Sequence, residues 1–373
     1  MRRVPSIVIA ILVLSIALFG WASLPAAAQT IGRAPGSGTP VNTGPDNFPK
    51  GVNPLTGLPV ADPRLLELPP AMVSVSSFPV SARPQAGLSF SPYVFEMYIG
   101  YGMTRYLAVF YGEAPKVASN VQSGSDAQIG PIRSGRLPYE SLRALYNGAL
   151  ITSGASDDVG SQLHSMTRMY GKDAESVNST LVDAAGLEAA SETVKKSHPQ
   201  GFKLTGNRFE TAIPEGGQEA QKTWIYYNYY NQIEWAYDPA QGAYLRSQDK
   251  ADGSGKFYPT TDKLNGEQLA FENVVVLFAD HRAIKPTIID IQLKYVTRPA
   301  LLFRDGKVYQ IYWTTENSEY EKQSGLMRPI RFVDADGNPF PMKPGQTWVE
   351  IVTSNTHVEQ TTPGSWKVRF FAP

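Results

Sequence analysis

The stretch SPYVFEMYIGYGMTRYLAVFYGE, residues Ser91–Glu113, decides the fold. It contains two apolar runs typical of β-strands, and one full charge interrupts each run, Glu96 in the first and Arg105 in the second. If Gly100 and Tyr101 form a two-residue hairpin loop, Gly100 supplies the positive φ that a type II′ turn needs at its first central position. Counting outward from this loop places Glu96 opposite Arg105, so we predict a cross-strand pair among apolar neighbours.

Two more arginines follow in the segment QIGPIRSGR, after a Gly-Pro turn and before the helix-like stretch LPYESLRAL. Backbone N–H groups at a helix start favour anions, and planar guanidinium forks match carboxylate or phosphate oxygens. We therefore expect one concave surface that binds an anion, and its predicted ligand-binding residues are Glu96, Arg105, Arg133 and Arg136.

A purely structural interpretation of these charges stays open. The Glu96–Arg105 pair can serve only to fix the strand register. The two later arginines can satisfy buried carbonyl groups or pair with nearby acids such as Asp126 or Glu140. The sequence does not decide between these alternatives.

The length of the chain and its N-terminal segments predict how it is divided into domains and linkers. At 373 residues the chain exceeds a typical single core, so two domains are expected. Residues 1–28 combine two arginines, an apolar run and small residues at an A-x-A site, which predicts a secretory signal peptide. An uncleaved membrane anchor is the alternative, and both interpretations place the rest of the chain outside the cytoplasm. Residues 29–52 are rich in Gly, Pro, Ser and Thr and are predicted to be a flexible linker.

Two folded segments follow, and together they predict an α+β fold. Residues 53–209 combine strand-like and helix-like patterns and are predicted as a mixed α/β N-terminal domain. Residues 210–221 are predicted to be a second linker. Residues 222–373 contain aromatic and β-branched runs separated by turn signals such as RDGK and DADGN, which predicts a β-rich C-terminal domain.

Composition excludes several kinds of chemistry. The chain has no cysteine, which removes thiolate metal sites, a thiol nucleophile and the acceptor of a lipid anchor. Its formal net charge is zero and 18% of its residues are charged, so no basic field attracts nucleic acid. The four histidines lie in no metal-binding spacing. We expect no metal, no cofactor and no nucleic-acid partner, and membrane contact only through an uncleaved N-terminus.

The aromatic run WIYYNYYNQIEWAY raises a second kind of site. Aromatic rings on an exposed sheet are good platforms for sugars, because the apolar ring face is buried while the hydroxyls stay wet. The same rings can instead form the core of a β domain. The residues concerned are Trp224, Tyr226, Tyr229, Trp235 and Tyr237.

Several strings in their order make the chain similar to the YerB-like lipoprotein family, the domain of unknown function numbered 3048. They are NPLTGLP, SARPQAGLSFSPYVFEMYIGYGMTRYLAVFY and IGPIRSGR, with NVVVL and PGQTWVEIV later in the chain. The resemblance implies an exported two-domain protein whose activity is not established. Family members usually carry a lipobox cysteine, which this chain lacks. The family motif positions carried over to this chain are Asn53, Pro54, Gly57, Arg83, Pro84, Glu96, Thr104, Arg105, Gly130, Pro131, Arg133 and Arg136.

Two classes of function follow. The first is an extracytoplasmic envelope protein that binds an anionic or glycan ligand, or a partner protein of cell-wall synthesis. The second is a glycan-directed, peptidoglycan-type enzyme with Glu96 as general acid or base, which requires a second carboxylate roughly 5–9.5 Å away. A carboxylate paired with arginine suits a general base better than a general acid. We favour binding.

Overall fold

The computed structural model describes residues 42–115, 127–173, 175–198, 201–316, 319–324 and 327–373. Of these described residues, strands contain 41% and helices 13%, which confirms the sheet-rich character expected from the sequence. The predicted signal peptide and the first part of the linker, residues 29–41, lie outside the described ranges. Within those ranges, no helix is both long and apolar enough to cross a membrane.

The segment before residue 210 contains the following strands: β1 (Val52–Asn53), β2 (Leu58–Pro59), β3 (Ala71–Ser76), β4 (Tyr93–Gly100), β5 (Met103–Phe110), β6 (Ala149–Thr152) and β7 (Met166–Arg168). Its α-helices are α1 (Pro138–Tyr146), α2 (Asp157–Gly160) and α3 (Ala184–Lys195), and its short 3₁₀ helices are Pro63–Glu67, Val80–Ala82 and Leu88–Phe90.

The later segment consists mainly of strands: β8 (Gln218–Asn228), β9 (Asn231–Asp238), β10 (Ala243–Asp249), β11 (Phe257–Pro259), β12 (Ala270–Phe271), β13 (Asn273–Ala279), β14 (His281–Lys285), β15 (Ile288–Ile291), β16 (Thr297–Arg304), β17 (Lys307–Thr314), β18 (Arg331–Val333), β19 (Thr347–Thr353), β20 (His357–Thr362) and β21 (Gly364–Arg369). One further helix, α4, spans Glu319–Ser324.

A central sheet unites the two segments. Its strand order is β7-β6-β3-β5-β4-β19-β13-β16-β17-β18. Strands β4 and β19 pair in parallel with Glu96 beside Glu350, so the sheet runs across the boundary predicted at 210–221. That predicted linker therefore does not separate two independent bodies, and the described residues from 42 to 373 belong to one unit.

A second sheet has the order β20-β21-β8-β9-β10, with β11 and β12 both paired along β10. The start of β8 also pairs with β17, where Glu219 lies opposite Lys307, so β8 joins the two sheets. The sheets pack through aromatic side chains, including Trp235 and Trp348, whose ring centres lie 5.4 Å apart. On the other face of the central sheet, helix α1 packs through Tyr146, whose ring centre lies 5.7 Å from that of Phe95.

The opening hairpin forms between β4 and β5, but in another register than predicted. Gly100 has a φ of 107°, which confirms the expected positive value. The loop residues are instead Tyr101 and Gly102, with φ values of 50° and 73°, which is typical of a type I′ turn. Ile99 is an extra residue in β4, so the pairing shifts by one position.

This shift makes the predicted pairing of Glu96 with Arg105 wrong. Arg105 lies opposite Met97, and Glu96 lies opposite Tyr106. Because side chains alternate along a strand, a slip of one residue places the two charges on opposite faces of the sheet. Glu96 faces the second sheet, and Arg105 lies on the face where α1 packs.

The end of the predicted flexible linker is part of the fold. Thr43 and Phe209 exchange backbone hydrogen bonds of 3.0 and 2.8 Å. Val52 is buried and belongs to strand β1. Residues 42–52 therefore contact the folded core, contrary to the linker boundary predicted at residue 52.

Candidate functional site

Three of the four predicted site residues come together on one side of the central sheet. Arg105 projects from β5, opposite Ser76 of β3. The loop that carries Arg133 and Arg136 runs along β3, where the N–H of Ser76 donates to the carbonyl of Pro131 at 2.8 Å. The N–H of Arg133 donates to the carbonyl of Ser74 at 2.9 Å. We call Arg105, Arg133 and Arg136 the arginine cluster.

The cluster has few partners. Arg105 is only 5% exposed, its Nη1 donates to the carbonyl of Ser134 at 3.2 Å, and its buried Nε has no partner. The Nε of Arg136 is also buried without a partner. Arg133 is partly exposed and donates to the carbonyl of Val177 at 3.1 Å. In the part of the chain that the structure describes, none of the three arginines forms an ion pair with an acid.

The electrostatics of the cluster reflect this lack of counter-charge. Burial lowers the pKa of Arg105 to about 10, and repulsion by Arg136 and Arg133 adds to the effect. Burial also lowers the pKa of Arg136, with Arg133 again contributing repulsion. A bound anion would supply the missing charge and stabilise all three guanidinium groups.

The alternative acids do not pair with the cluster where the structure describes them. Glu140 accepts from Nη2 of Arg143 at 2.7 Å and lies 3.0 Å from Nδ1 of His164, so its pairing with Arg133 or Arg136 is excluded. Asp126 lies outside the described residues.

The start of α1 has fewer free backbone N–H groups than expected from the sequence. The N–H of Tyr139 donates to the carbonyl of Arg136 at 3.1 Å, and the N–H of Glu140 donates to the carbonyl of Leu137 at 3.1 Å. These donors are occupied within the turn. The backbone N–H groups of Tyr139 and Glu140 are therefore not free to contact a ligand.

Glu96 does not join the cluster. Its Oε1 accepts from Oγ1 of Thr104 at 2.6 Å, and its Oε2 accepts from Nη2 of Arg246 at 2.9 Å. The side chains of Glu96 and Arg246 are both fully buried. A carboxylate without solvent contact cannot protonate a polymeric glycan, so this position does not favour Glu96 as general acid or base.

A second carboxylate, Glu350, completes this buried network. It lies beside Glu96 on the adjacent strand β19 and is fully buried. Its Oε2 lies 2.9 Å from the hydroxyl of Tyr227, and its Oε1 accepts from Nε1 of Trp235 at 3.2 Å. Burial raises the pKa of Glu350 to about 8, and the neighbouring charge of Glu96 adds to the rise against the attraction of Arg246.

Arg246 holds the network together from strand β10. Its guanidinium carbon lies 4.7 Å from the ring centre of Trp348, and its Nη1 donates to Gln248 and Thr260 at 3.2 and 3.1 Å. Sequence reasoning missed both Arg246 and Glu350. The signal was present, because each is a lone charge within a strand-like run, GAYLRSQ and TWVEIV, as Glu96 is in its own strand.

The expectation that the protein holds no metal can be compared with the described residues only. Among them, no group of three or more histidine, aspartate or glutamate side chains is arranged to hold a metal ion.

The chain belongs to the family described as "Protein of unknown function (DUF3048)". Its N-terminal domain model matches residues 55–185 and its C-terminal domain model matches residues 223–349. The resemblance expected from the sequence strings is confirmed.

A relative and a solved structure support this assignment. The chain is 29% identical over 323 residues to the Bacillus subtilis protein named "Putative lipoprotein YerB", a match that covers 83% of this chain and 88% of that protein. It is also similar to the crystal structure of YerB from Bacillus subtilis, with a TM-score of 0.62 and 25% identity, covering 80% of this chain and 96% of that one.

Proposed function

We propose that this protein is an extracytoplasmic envelope protein that binds an anionic ligand through Arg105, Arg133 and Arg136. One observation carries the proposal: three arginines meet at one place without an acidic partner among the described residues. Burying a charge without a partner destabilises a fold, and Arg105 is buried with its Nε unpaired. A ligand anion provides the compensation that the described chain does not.

The three arginine side chains of the cluster differ in how exposed they are to solvent. Arg105 is the buried member, whereas Arg133 and Arg136 are partly exposed. An anion held between them receives charge-assisted hydrogen bonds from planar forks, the geometry that suits carboxylate and phosphate groups. An acidic sugar or a phosphate-bearing polymer of the envelope has this chemistry.

The location rests on separate support. Residues 1–28 have the pattern of a secretory signal peptide. The name of the Bacillus subtilis relative, "Putative lipoprotein YerB", supports an envelope location for this chain. Because this chain has no cysteine, we propose envelope association without a cysteine-linked lipid.

Calorimetric titration of the purified protein with inorganic phosphate and with D-glucuronate tests the proposal. We expect saturable binding of at least one anion, and the two titrations distinguish a phosphate from a carboxylate ligand. Arg133→Ala should weaken that binding ten- to hundredfold, since a hydrogen bond to a charged group contributes about 1.5–3 kcal/mol.

Arg282→Ala is the matched control, because it removes one exposed arginine that pairs with Asp290 on another part of the surface. It should leave the affinity unchanged. Absence of binding by the wild-type protein, or an equal loss in both variants, would contradict the proposal.

A further inference from the structure

The outer face of the second sheet carries a groove of about 450 Å³. Trp224 of β8 and its cross-strand neighbour Glu234 of β9 lie in it. Phe257 borders it on one side, and the β20–β21 turn with Thr362 borders it on another. The volume falls within the range of about 300–1,000 Å³ that small-ligand sites occupy.

The aromatic run WIYYNYYNQIEWAY is predicted to form either core or a sugar platform, and the structure gives different roles to different residues of it. Trp235 is fully buried among the rings between the sheets, which is the core role. Trp224 points to the opposite side from Thr223 and Ile225, which are buried, and it does not belong to the hydrophobic core. Trp224 is therefore available for the platform role.

The indole of Trp224 is held in place from outside the groove. The ring of Tyr226 lies 5.9 Å away at 89°, and Nζ of Lys367 lies 4.5 Å from the indole centre. Neither of these residues lines the groove, so the indole surface that borders the groove is not the surface that they cover. The buried Nε1 of Trp224 has no hydrogen-bond partner among the described residues.

The polar side chains of the groove are suited to a neutral ligand. Nζ of Lys222 lies 2.5 Å from Oε2 of Glu234, so the two opposite charges cancel each other. Gln232 uses its Nε2 on the carbonyl of Tyr229 at 3.2 Å, which leaves its carbonyl oxygen to accept from a ligand. Thr361, Thr362 and Ser365 also line the groove.

We propose that this groove binds a neutral glycan, with the apolar face of a pyranose ring against Trp224. A sugar ring combines an apolar face with a rim of hydroxyls, and the groove offers an aromatic surface surrounded by donors and acceptors. The sugar hydroxyls donate to Glu234 and Gln232 and accept from Lys222. This site is separate from the arginine cluster and does not depend on anion binding.

Calorimetric titration of the full protein with two neutral oligosaccharides, chitotetraose and cellotetraose, tests the proposal. We expect saturable binding of at least one of them. Trp224→Ala should weaken that binding at least tenfold, and Trp224→Phe should retain part of it, because the smaller ring preserves an aromatic surface.

Two further variants separate loss of binding from loss of folding. Thr362→Trp places a bulky ring at an exposed position on the rim, where it should block the groove while the fold is preserved. Tyr170→Ala removes an aromatic ring that is 73% exposed and remote from the groove in sequence, and it should bind as the wild type does. Arg133→Ala should also retain glycan binding, which distinguishes this site from the arginine cluster.

The proposal is overturned if neither oligosaccharide binds the wild-type protein at millimolar concentration. Wild-type affinity in both Trp224→Ala and Thr362→Trp would overturn it as well. Binding of the acidic polymer polygalacturonate in the groove, without binding of either neutral oligosaccharide, would reject the neutral class of ligand.

Discussion

Replacing Glu350 by glutamine should change how the stability of this protein depends on pH. Burial and the charge of Glu96 raise the pKa of Glu350 in the folded state to about 8, whereas its ordinary value is 4.5. The groups that face Glu350 are Glu96 on β4, Arg246 on β10 and Tyr227 on β8. The folded protein therefore keeps a proton that the unfolded chain releases.

The direction of the effect follows from proton linkage. Below pH 4.5 both states hold the proton, and the stabilisation is fully present. As the pH rises towards 8, only the unfolded chain loses the proton, so the free energy of unfolding falls by about 1.4 kcal/mol per pH unit. Between pH 4.5 and about 8 the loss is on the order of 5 kcal/mol.

The glutamine of Glu350→Gln reproduces the protonated acid. Its carbonyl oxygen can accept from Nε1 of Trp235, and its amide can donate to the hydroxyl of Tyr227, with the same shape and no titration. Urea unfolding of both proteins at pH 5, 6, 7, 8 and 9 measures the difference directly. The variant should gain stability relative to the wild type as the pH rises to 8, and parallel curves for the two proteins would refute the reasoning.

Three further outcomes can be checked on the same protein. Arg246→Met should lower the free energy of unfolding by about 3–5 kcal/mol at pH 7, because Glu96 is then left buried without its ion pair; a decrease below about 1 kcal/mol in urea unfolding would contradict this. Gly102→Ala should lower the melting temperature, because φ is 73° and the added Cβ would collide with Nδ2 of Asn228; an unchanged melting curve would argue against the type I′ turn. Mass spectrometry of the exported protein should give an N-terminus near Gln29, whereas an intact Met1 in a membrane fraction would favour the anchor.

The hairpin of β4 and β5 shows which features of a strand pair can be predicted from the sequence and which cannot. Alternating apolar residues and Gly100 predicted two strands and a turn with positive φ, since these depend on local pattern and backbone sterics. The choice of loop depends on tertiary contacts, because Gly102 approaches Asn228, which belongs to another strand. The extra residue Ile99 shifts the pairing of β4 with β5 by one position. Glu96 and Arg105, predicted on one face of the sheet, therefore lie on opposite faces.

The candidate site also has one part that the sequence could predict and one part that it could not. The arginine cluster could be predicted because Arg105 interrupts an apolar strand and the Gly-Pro turn brings Arg133 back towards the sheet. The partner of Glu96 could not, because Arg246 lies 150 residues away and reaches it only through the packing of two sheets. A lone charge in a strand thus indicates a role in the folded protein, but whether that charge has a charged partner, and which one, depends on topology.

The melting temperature of the wild-type protein and of Arg133→Ala, each with and without a saturating anion, tests the central claim most directly. Without the anion, the two melting temperatures should be nearly equal, because the substitution removes a partly exposed side chain whose described hydrogen bond is the one to the carbonyl of Val177. With inorganic phosphate or D-glucuronate at about 100 times its dissociation constant from the wild-type protein, the wild-type protein should gain about 2.7 kcal/mol of stability and melt at a higher temperature. The variant, which binds ten- to hundredfold more weakly, should gain only about 0.4–1.4 kcal/mol at the same concentration. A variant that melts several degrees lower without any anion, together with a wild-type protein that does not respond to either anion, would show that the arginines are structural and contradict the account.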